Sequence, residues 1–213
     1  KHWVQTLGTS PSVHVIRTNE PSAVQHNEVG NYRPISNLNN ISKLLERLFL
    51  ARLQPHLINS PHYNPLQSAY RTGHSTETAL LTLLNKARLS ADRGESTLLV
   101  SLDLSTAFDT INHSILLARL RSMYGVDGSA LMWLESYLSQ RVQYVKFGQD
   151  VSSTTQLKTG VPQGSVLGPI LFTSFISPIQ FVTSQFNVDQ QQYADDTQVF
   201  ISLSKGNSPD RAS

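Results

Sequence analysis

The 213-residue sequence predicts an α+β fold, with helices and antiparallel strands grouped separately rather than alternating one by one. Three observations support this. Apolar residues recur every three or four positions across residues 38–53 and again across 75–87, the spacing of one helix face. Short runs of strand character at residues 142–158 and 188–203 fall in pairs around turn residues, as hairpins do. No internal repeat or low-complexity tract interrupts a globular composition of 39% apolar and 15% charged residues.

The elements follow in order. Residues 1–30 read as an irregular segment, with Pro11, Pro21 and Gly30 among scattered Ser, Asn and Thr. Leu38, Ile41, Leu44, Leu45, Leu48 and Leu53 predict a first helix whose stripe forms core rather than a partner site and which stops at Pro55. A polar loop through Pro61 and Pro65 leads to a second helix. It starts at Ser75, has Glu77 in its first turn, carries Leu80, Leu81, Leu84 and Ala87 inward, and ends at Gly94. Residues 97–102 form a short apolar run closing on Asp103, the pattern of a buried strand. Helices are expected over 112–124, closed by Gly125, and over 129–138. Strands at 142–147 and 151–158 join around Gly148. Residues 166–175 are apolar and helical, with Pro169 tolerable in the first turn. Residues 188–193 and 197–203 alternate as strands, and Ala194-Asp195-Asp196 makes the bend between them.

Composition excludes several classes. The absence of cysteine removes disulfides, thiolate metal sites and thiol nucleophiles. No run approaches the roughly 18 unbroken apolar residues of a membrane span, and residues 1–11 lack the apolar core of a signal peptide. The expectation is an intracellular protein of the nucleus and/or cytoplasm, with no membrane partner. The seven histidines show no metal spacing, and hydrolase signatures are absent. The formal charge of +2 identifies no partner, but its distribution is uneven. Lys43, Arg47, Arg52, Arg71, Lys86, Arg88 and Arg93 make the front half basic, whereas Asp189, Asp195, Asp196 and Asp210 make the end acidic. That suits an enzyme that grips phosphates and holds cations; two ordinary solvated faces fit the charge equally well.

Asp103 ends a strand, and Asp195 and Asp196 sit at a strand–strand bend. Two bare carboxylates 4 Å apart repel by about 4 kcal/mol at an effective dielectric of 20. Three of them converging would need a proton or a divalent cation, and oxygen-only ligation favours magnesium. A magnesium pair lowers the pKa of an attacking hydroxyl and neutralises a leaving pyrophosphate, which is nucleotide-transfer chemistry. An Asp-Asp pair alone is more often a turn device, so its neighbours decide.

Those neighbours resemble the reverse transcriptases. Tyr193-Ala194-Asp195-Asp196 is similar to their Y-x-D-D box, and Leu102-Asp103-Leu104-Ser105-Thr106-Ala107-Phe108-Asp109 to their first palm motif. Val161-Pro162-Gln163-Gly164-Ser165-Val166-Leu167-Gly168-Pro169 resembles the central motif. Asn31-Tyr32-Arg33-Pro34-Ile35-Ser36 and Ser68-Ala69-Tyr70-Arg71-Thr72-Gly73-His74-Ser75 resemble two fingers motifs. The wording is nearest that of animal non-LTR (long interspersed element) retrotransposons. The resemblance implies a right-hand polymerase fold, with an antiparallel palm sheet backed by helices and a mostly helical fingers subdomain. It implies an irregular segment at 1–30, fingers at 31–95, palm at 96–204 and a tail at 205–213. The activity implied is RNA-directed DNA polymerisation with an RNA template, a DNA primer, deoxynucleoside triphosphates and two Mg2+ ions.

By motif position, Asp103, Asp195 and Asp196 match the catalytic, metal-binding carboxylates, and the carbonyl of Leu104 adds a ligand. Phe108 matches the aromatic steric gate against a ribose 2′-OH; its alternative role is a core aromatic. Gln163 and Gly164 match residues lying against the incoming nucleotide, or else a tight turn opening a helix. Arg71 matches a triphosphate contact or is a surface arginine, and Arg33 faces template or phosphate. Tyr193 supports the primer end or the hairpin itself. Asp109 and His113 read as helix-start features.

The chain departs from the family pattern in three ways. Residues 1–30 do not show the lysine-bearing fingers segment, and the expectation is a chain without the later palm motifs, the thumb or a preceding endonuclease. The expectation is a truncated domain that polymerises poorly alone, because duplex affinity rests on summed phosphate contacts. The competing readings are a remnant that binds nucleic acid without catalysis, an RNA-making polymerase, which Phe108 argues against, and a structural module.

Overall fold

The computed structural model describes residues 12–18, 32–104, 107–147 and 149–204. In chain order the elements are β1 (Ser12–Thr18), β2 (Tyr32–Asn37), α1 (Asn40–Ile58), α2 (Thr76–Asp92) and β3 (Ser96–Leu102). They continue with α3 (His113–Ser122), α4 (Gly128–Leu138), β4 (Val142–Phe147), β5 (Asp150–Val151) and β6 (Thr155–Gln156). α5 (Gly168–Ile176), α6 (Ile179–Gln185), β7 (Asp189–Tyr193) and β8 (Asp196–Leu203) complete the order. Helices and antiparallel strands are grouped as the α+β expectation required. The chain divides into two compact units of interleaved segments, residues 1–60 with 106–175 and residues 61–105 with 176–213. Residues 61–95 fall in the same unit as β3, the strand that leads into Asp103. The expected tail at 205–213 lies outside the described residues.

The first unit carries a mixed sheet in the order β2-β1-β4-β5, with β6 also pairing with β4. β1 runs antiparallel to β2 and parallel to β4. β1 corrects the reading of residues 1–30 as irregular. The pairing of β1 with β4 spans more sequence than any local pattern reports. The unit's core is aliphatic: Leu57, Ile111, Leu116, Leu120, Leu134, Leu167 and Leu171 are fully buried.

Asn39 caps α1, its side chain accepting the Ser42 N–H at 2.6 Å. The helix does not stop at Pro55 but continues to Ile58. An internal proline removes one helical donor and costs about 3 kcal/mol. Buried Leu53 and Leu57 on either side of it offset that cost. The face of α1 that is buried also differs from expectation. Glu46, Leu53 and Leu57 point inward, while Ile41, Leu44, Leu45 and Leu48 lie exposed. At 3.6 residues per turn the two sets stand roughly 150° apart.

The second unit carries the antiparallel sheet β3-β8-β7, with α2 packed on β3 and β7 and α6 packed on β7. α2 starts as expected: Ser75 and Thr78 form a reciprocal capping box, and the hydrogen bond from Ser75 holds the Glu77 carboxyl below its usual range. The expected inward stripe of α2 is not observed. Ala79 and Ser90 are buried, whereas Leu80, Leu81 and Leu84 are exposed. β3 is likewise no buried strand, since Leu98, Leu99, Val100 and Leu102 all remain exposed. The interior here is mostly polar: Asn64, Gln67, Gln190, Gln191, Gln192 and Thr197 are buried.

Candidate functional site

The β7–β8 hairpin turns through a two-residue loop, Ala194-Asp195, with Tyr193 paired to Asp196 across it. β3 pairs with β8 as far as Leu102 opposite Thr197. One step beyond that last pair, Asp103 follows Leu102 and Asp196 precedes Thr197. Opposed antiparallel residues stand about 4.5–5.5 Å apart at Cα, so sheet register alone brings Asp103 to the acidic bend. Leu104 follows directly and is exposed, as are Asp103 and Asp196; Asp195 is half-buried. Among the described residues, no three His, Cys, Asp or Glu side chains are gathered closely enough to hold one ion. The register thus unites the backbones of the three acids, while their side chains do not close into a cluster. Uncompensated carboxylates repel, and a divalent cation is what would draw them together. The donors at this end of the sheet, carboxylate oxygens and the Leu104 carbonyl, suit a hard divalent ion.

Ala194 has φ +56°, a left-handed value rare for a residue with a Cβ. Such a residue costs about 1–3 kcal/mol and persists only where its surroundings impose it. A two-residue hairpin turn calls for positive φ at its first loop residue, and Gln67 braces Ala194 there. Its Oε1 accepts the Ala194 N–H at 2.9 Å, and its Nε2 donates to the Ala194 carbonyl at 3.0 Å. The Gln67 segment lies along β7: Gln192 N–H donates to Leu66 O at 3.0 Å and Ser68 N–H to Gln192 O at 2.9 Å. Beneath it, Asn64 donates to the Gln192 side chain, which donates on to Thr197 Oγ1 at 3.0 Å.

Two further residues of this loop bear on the bend. Tyr70, at φ +59°, has its phenol pKa raised, first by burial and then by the charge of Asp195. The loop therefore feels the negative field of the bend. Arg71 folds back on its own loop, Nη1 donating to Pro65 O at 2.8 Å and Gln67 O at 3.1 Å. The sequence reading passed over Gln67, which stands one position ahead of the Ser68–Ser75 box, and gave Tyr70 no role. No local pattern links either residue to a hairpin about 125 residues later.

The first unit gathers the other candidates. Phe108 stacks on Phe172 with ring centres 5.0 Å apart, and its carbonyl accepts the Val161 N–H at 2.8 Å. Gly160 N–H donates to Ile111 O at 2.7 Å, and the His113 ring bonds Gly160 O at 2.6 Å. Gly160 has φ +84°, and a Cβ there would meet the Asp109 backbone at 2.9 Å, so only glycine fits. These bonds fasten the segment of Phe108 and Asp109 to the segment that enters Gln163-Gly164. The carbonyl of Gln163 accepts the Ser36 N–H at 2.8 Å, joining two of the sequence boxes. Gly164 is exposed at φ +98°. Arg33 pairs with Arg17 in the β1–β2 ladder. Glu46 caps the turn that follows: its Oε2 accepts Val166 N–H at 2.7 Å and Leu167 N–H at 3.1 Å, just ahead of α5.

Over residues 21–207 the chain matches the family described as reverse transcriptase (RNA-dependent DNA polymerase). The chain belongs to the reverse transcriptase family. It is 32% identical over 177 residues to the RNA-directed DNA polymerase from mobile element jockey of Drosophila melanogaster, covering 81% of this chain and 19% of that protein. It is 27% identical over 151 residues to the Pol polyprotein of the type-1 retrotransposable element R2 of Popillia japonica, covering 70% of this chain and 20% of that one. This reverse transcriptase domain therefore spans about a fifth of the length of the curated relatives it matches. Among solved structures, apo telomerase from Candida tropicalis superposes with a TM-score of 0.59 at 12% identity, covering 90% of this chain and 40% of that one. That likeness shows the fold, the right-hand polymerase expected from the motifs. No helix among the described residues is long and apolar enough to cross a membrane.

Proposed function

We propose that this reverse transcriptase domain adds deoxynucleotides to a primer 3′-OH on an RNA template, with two magnesium ions bound at the acidic bend. The observation that carries the reading is the β3–β8 register, which sets Asp103 beside Asp195-Asp196 although some 90 residues separate them in sequence. In this reading Asp103, Asp195, Asp196 and the Leu104 carbonyl hold the ions, and Tyr193 supports the primer end. When bound, a magnesium pair supplies Lewis acidity, easing deprotonation of the attacking hydroxyl and neutralising the departing pyrophosphate. Phe108 excludes a ribose 2′-OH, its ring held by Phe172. Gln163 and Gly164 lie against the nucleotide, Arg33 against template or phosphate. Arg71 reaches triphosphate oxygens with the donors other than Nη1. Fingers at 31–95 and palm at 96–204 remain the functional division. In this reading the protein acts inside the cell, in the nucleus and/or cytoplasm.

The test is primer extension on RNA by the chain joined to the remaining length of a jockey-type relative. Asp195→Ala should lower incorporation by about 10²-fold or more, and Phe108→Ala should raise ribonucleotide use. Unchanged incorporation in Asp195→Ala would refute the metal reading. A joined protein that binds primed template yet extends nothing would make the domain a binding remnant.

A further inference from the structure

We infer that Gln67 is a positioning residue for the acidic bend: its side-chain amide holds Ala194 in the left-handed conformation and thereby aims Asp195 and Asp196. The inference rests on the reading that these carboxylates hold divalent ions, and extends it to a residue that touches neither ion nor substrate.

Gln67 is fully buried, at 0% exposure. At a hairpin bend the backbone N–H and C=O of Ala194 fall outside the ladder, which closes at Tyr193 and Asp196. Buried polar groups left unpaired are costly. The Gln67 amide supplies one acceptor and one donor at 2.9 and 3.0 Å, the pair of bonds a neighbouring strand would otherwise make. The same Oε1 accepts the Ala69 N–H at 3.0 Å, so the side chain is itself braced by its own loop. Its backbone is braced too, through the parallel bridge of Gln67 with Gln192. Other side chains do not reproduce this. Glutamate lacks the donor, methionine lacks both groups, and asparagine is one methylene short. The left-handed residue that the two-residue turn requires is thus braced by a residue outside the hairpin. Because the carboxylates of Asp195 and Asp196 follow Ala194 directly, rotation at Ala194 would re-aim both.

The experiment uses the 213-residue chain and two readouts, hydrogen exchange of the Ala194 amide and Mn2+ binding followed by electron paramagnetic resonance. Gln67→Met should raise Ala194 exchange and weaken Mn2+ binding by about tenfold each. Adding Ala194→Gly, which accepts positive φ without strain, should restore most of the Mn2+ affinity. Gln191→Met removes another buried amide, bonded to Leu66 O and Ser68 Oγ rather than to the bend. It should lower the unfolding midpoint while leaving both readouts unchanged. If Gln67→Met does not fold, Gln67→Glu replaces it and is read the same way. A folded Gln67 variant with wild-type exchange and affinity overturns the inference, as does a glycine that restores nothing. Should the wild-type chain fail to bind Mn2+, the metal reading falls. Ala194 exchange then decides alone, an increase supporting the positioning role and unchanged protection refuting it.

Discussion

Tyr137 shows how one side chain links burial to pH. It is buried on α4, its ring nearly parallel to Trp133 at 5.4 Å and 9°, with the Arg141 guanidinium 4.9 Å from its centre. Burial, then the charge of Glu46, pushes its phenol well above the ordinary 10.0. The folded state therefore keeps a proton that the unfolded state releases above pH of about 10. The stability tied to this group is fully present below that pH and lost as pH rises through the folded value. Urea unfolding between pH 8 and 11 should show stability falling at the alkaline end, and Tyr137→Phe should flatten the fall. An unaltered pH profile in the variant would contradict the burial argument. Tyr70 shifts in the same direction but is partly exposed, so its share is smaller.

At the scale of elements, the junction into α5 depends on Glu46. The residue is 1% exposed, and its carboxylate accepts two backbone N–H groups, from Val166 and Leu167. Glu46→Ala would leave the buried Leu167 N–H and the part-buried Val166 N–H without this partner. Chemical denaturation should show a loss of about 1–3 kcal/mol for the buried donor and less for the other, with Glu46→Gln losing less because one oxygen remains. Nothing local in the sequence marks Glu46, since a glutamate on a helix says nothing about a turn 120 residues later. Helix starts were legible because caps are local: Ser75 capped α2 as expected, and Pro169 stands in the first turn of α5. Helix α1 was found where expected but runs past Pro55 to Ile58, and its buried side differs. Both of its faces carry apolar residues, and periodicity cannot choose between two stripes.

At the scale of the whole molecule, that ambiguity becomes a measurable asymmetry. Leu48 is 62% exposed and Leu57 0%, on one helix. Leu57→Ala should cost about 2–5 kcal/mol, whereas Leu48→Ala should change stability by about 0.5 kcal/mol or less. Equal losses in urea unfolding would show that the stripe of Ile41, Leu44 and Leu48 is covered. β3 and α2 repeat the pattern with exposed leucines in the second unit. The two units also differ inside, one built on aliphatic residues and the other on hydrogen-bonded amides around β7. The amide-built unit carries all three acids of the proposed metal site.

The α+β class, the starts of the helices before α6, the β7–β8 hairpin and the family were determined by the sequence itself. Each is written in contiguous residues: a cap, a period, a turn or a motif box. Helix α6 (Ile179–Gln185), which has no side-chain cap, was not expected. Strand β1, the inward faces of α1 and α2, the Gln67 bonds to Ala194 and the Glu46 bonds ahead of α5 were decided only by tertiary structure. Those features depend on which remote segment meets which. The free energy of such a meeting belongs to a pair of surfaces, and neither segment's sequence carries it alone.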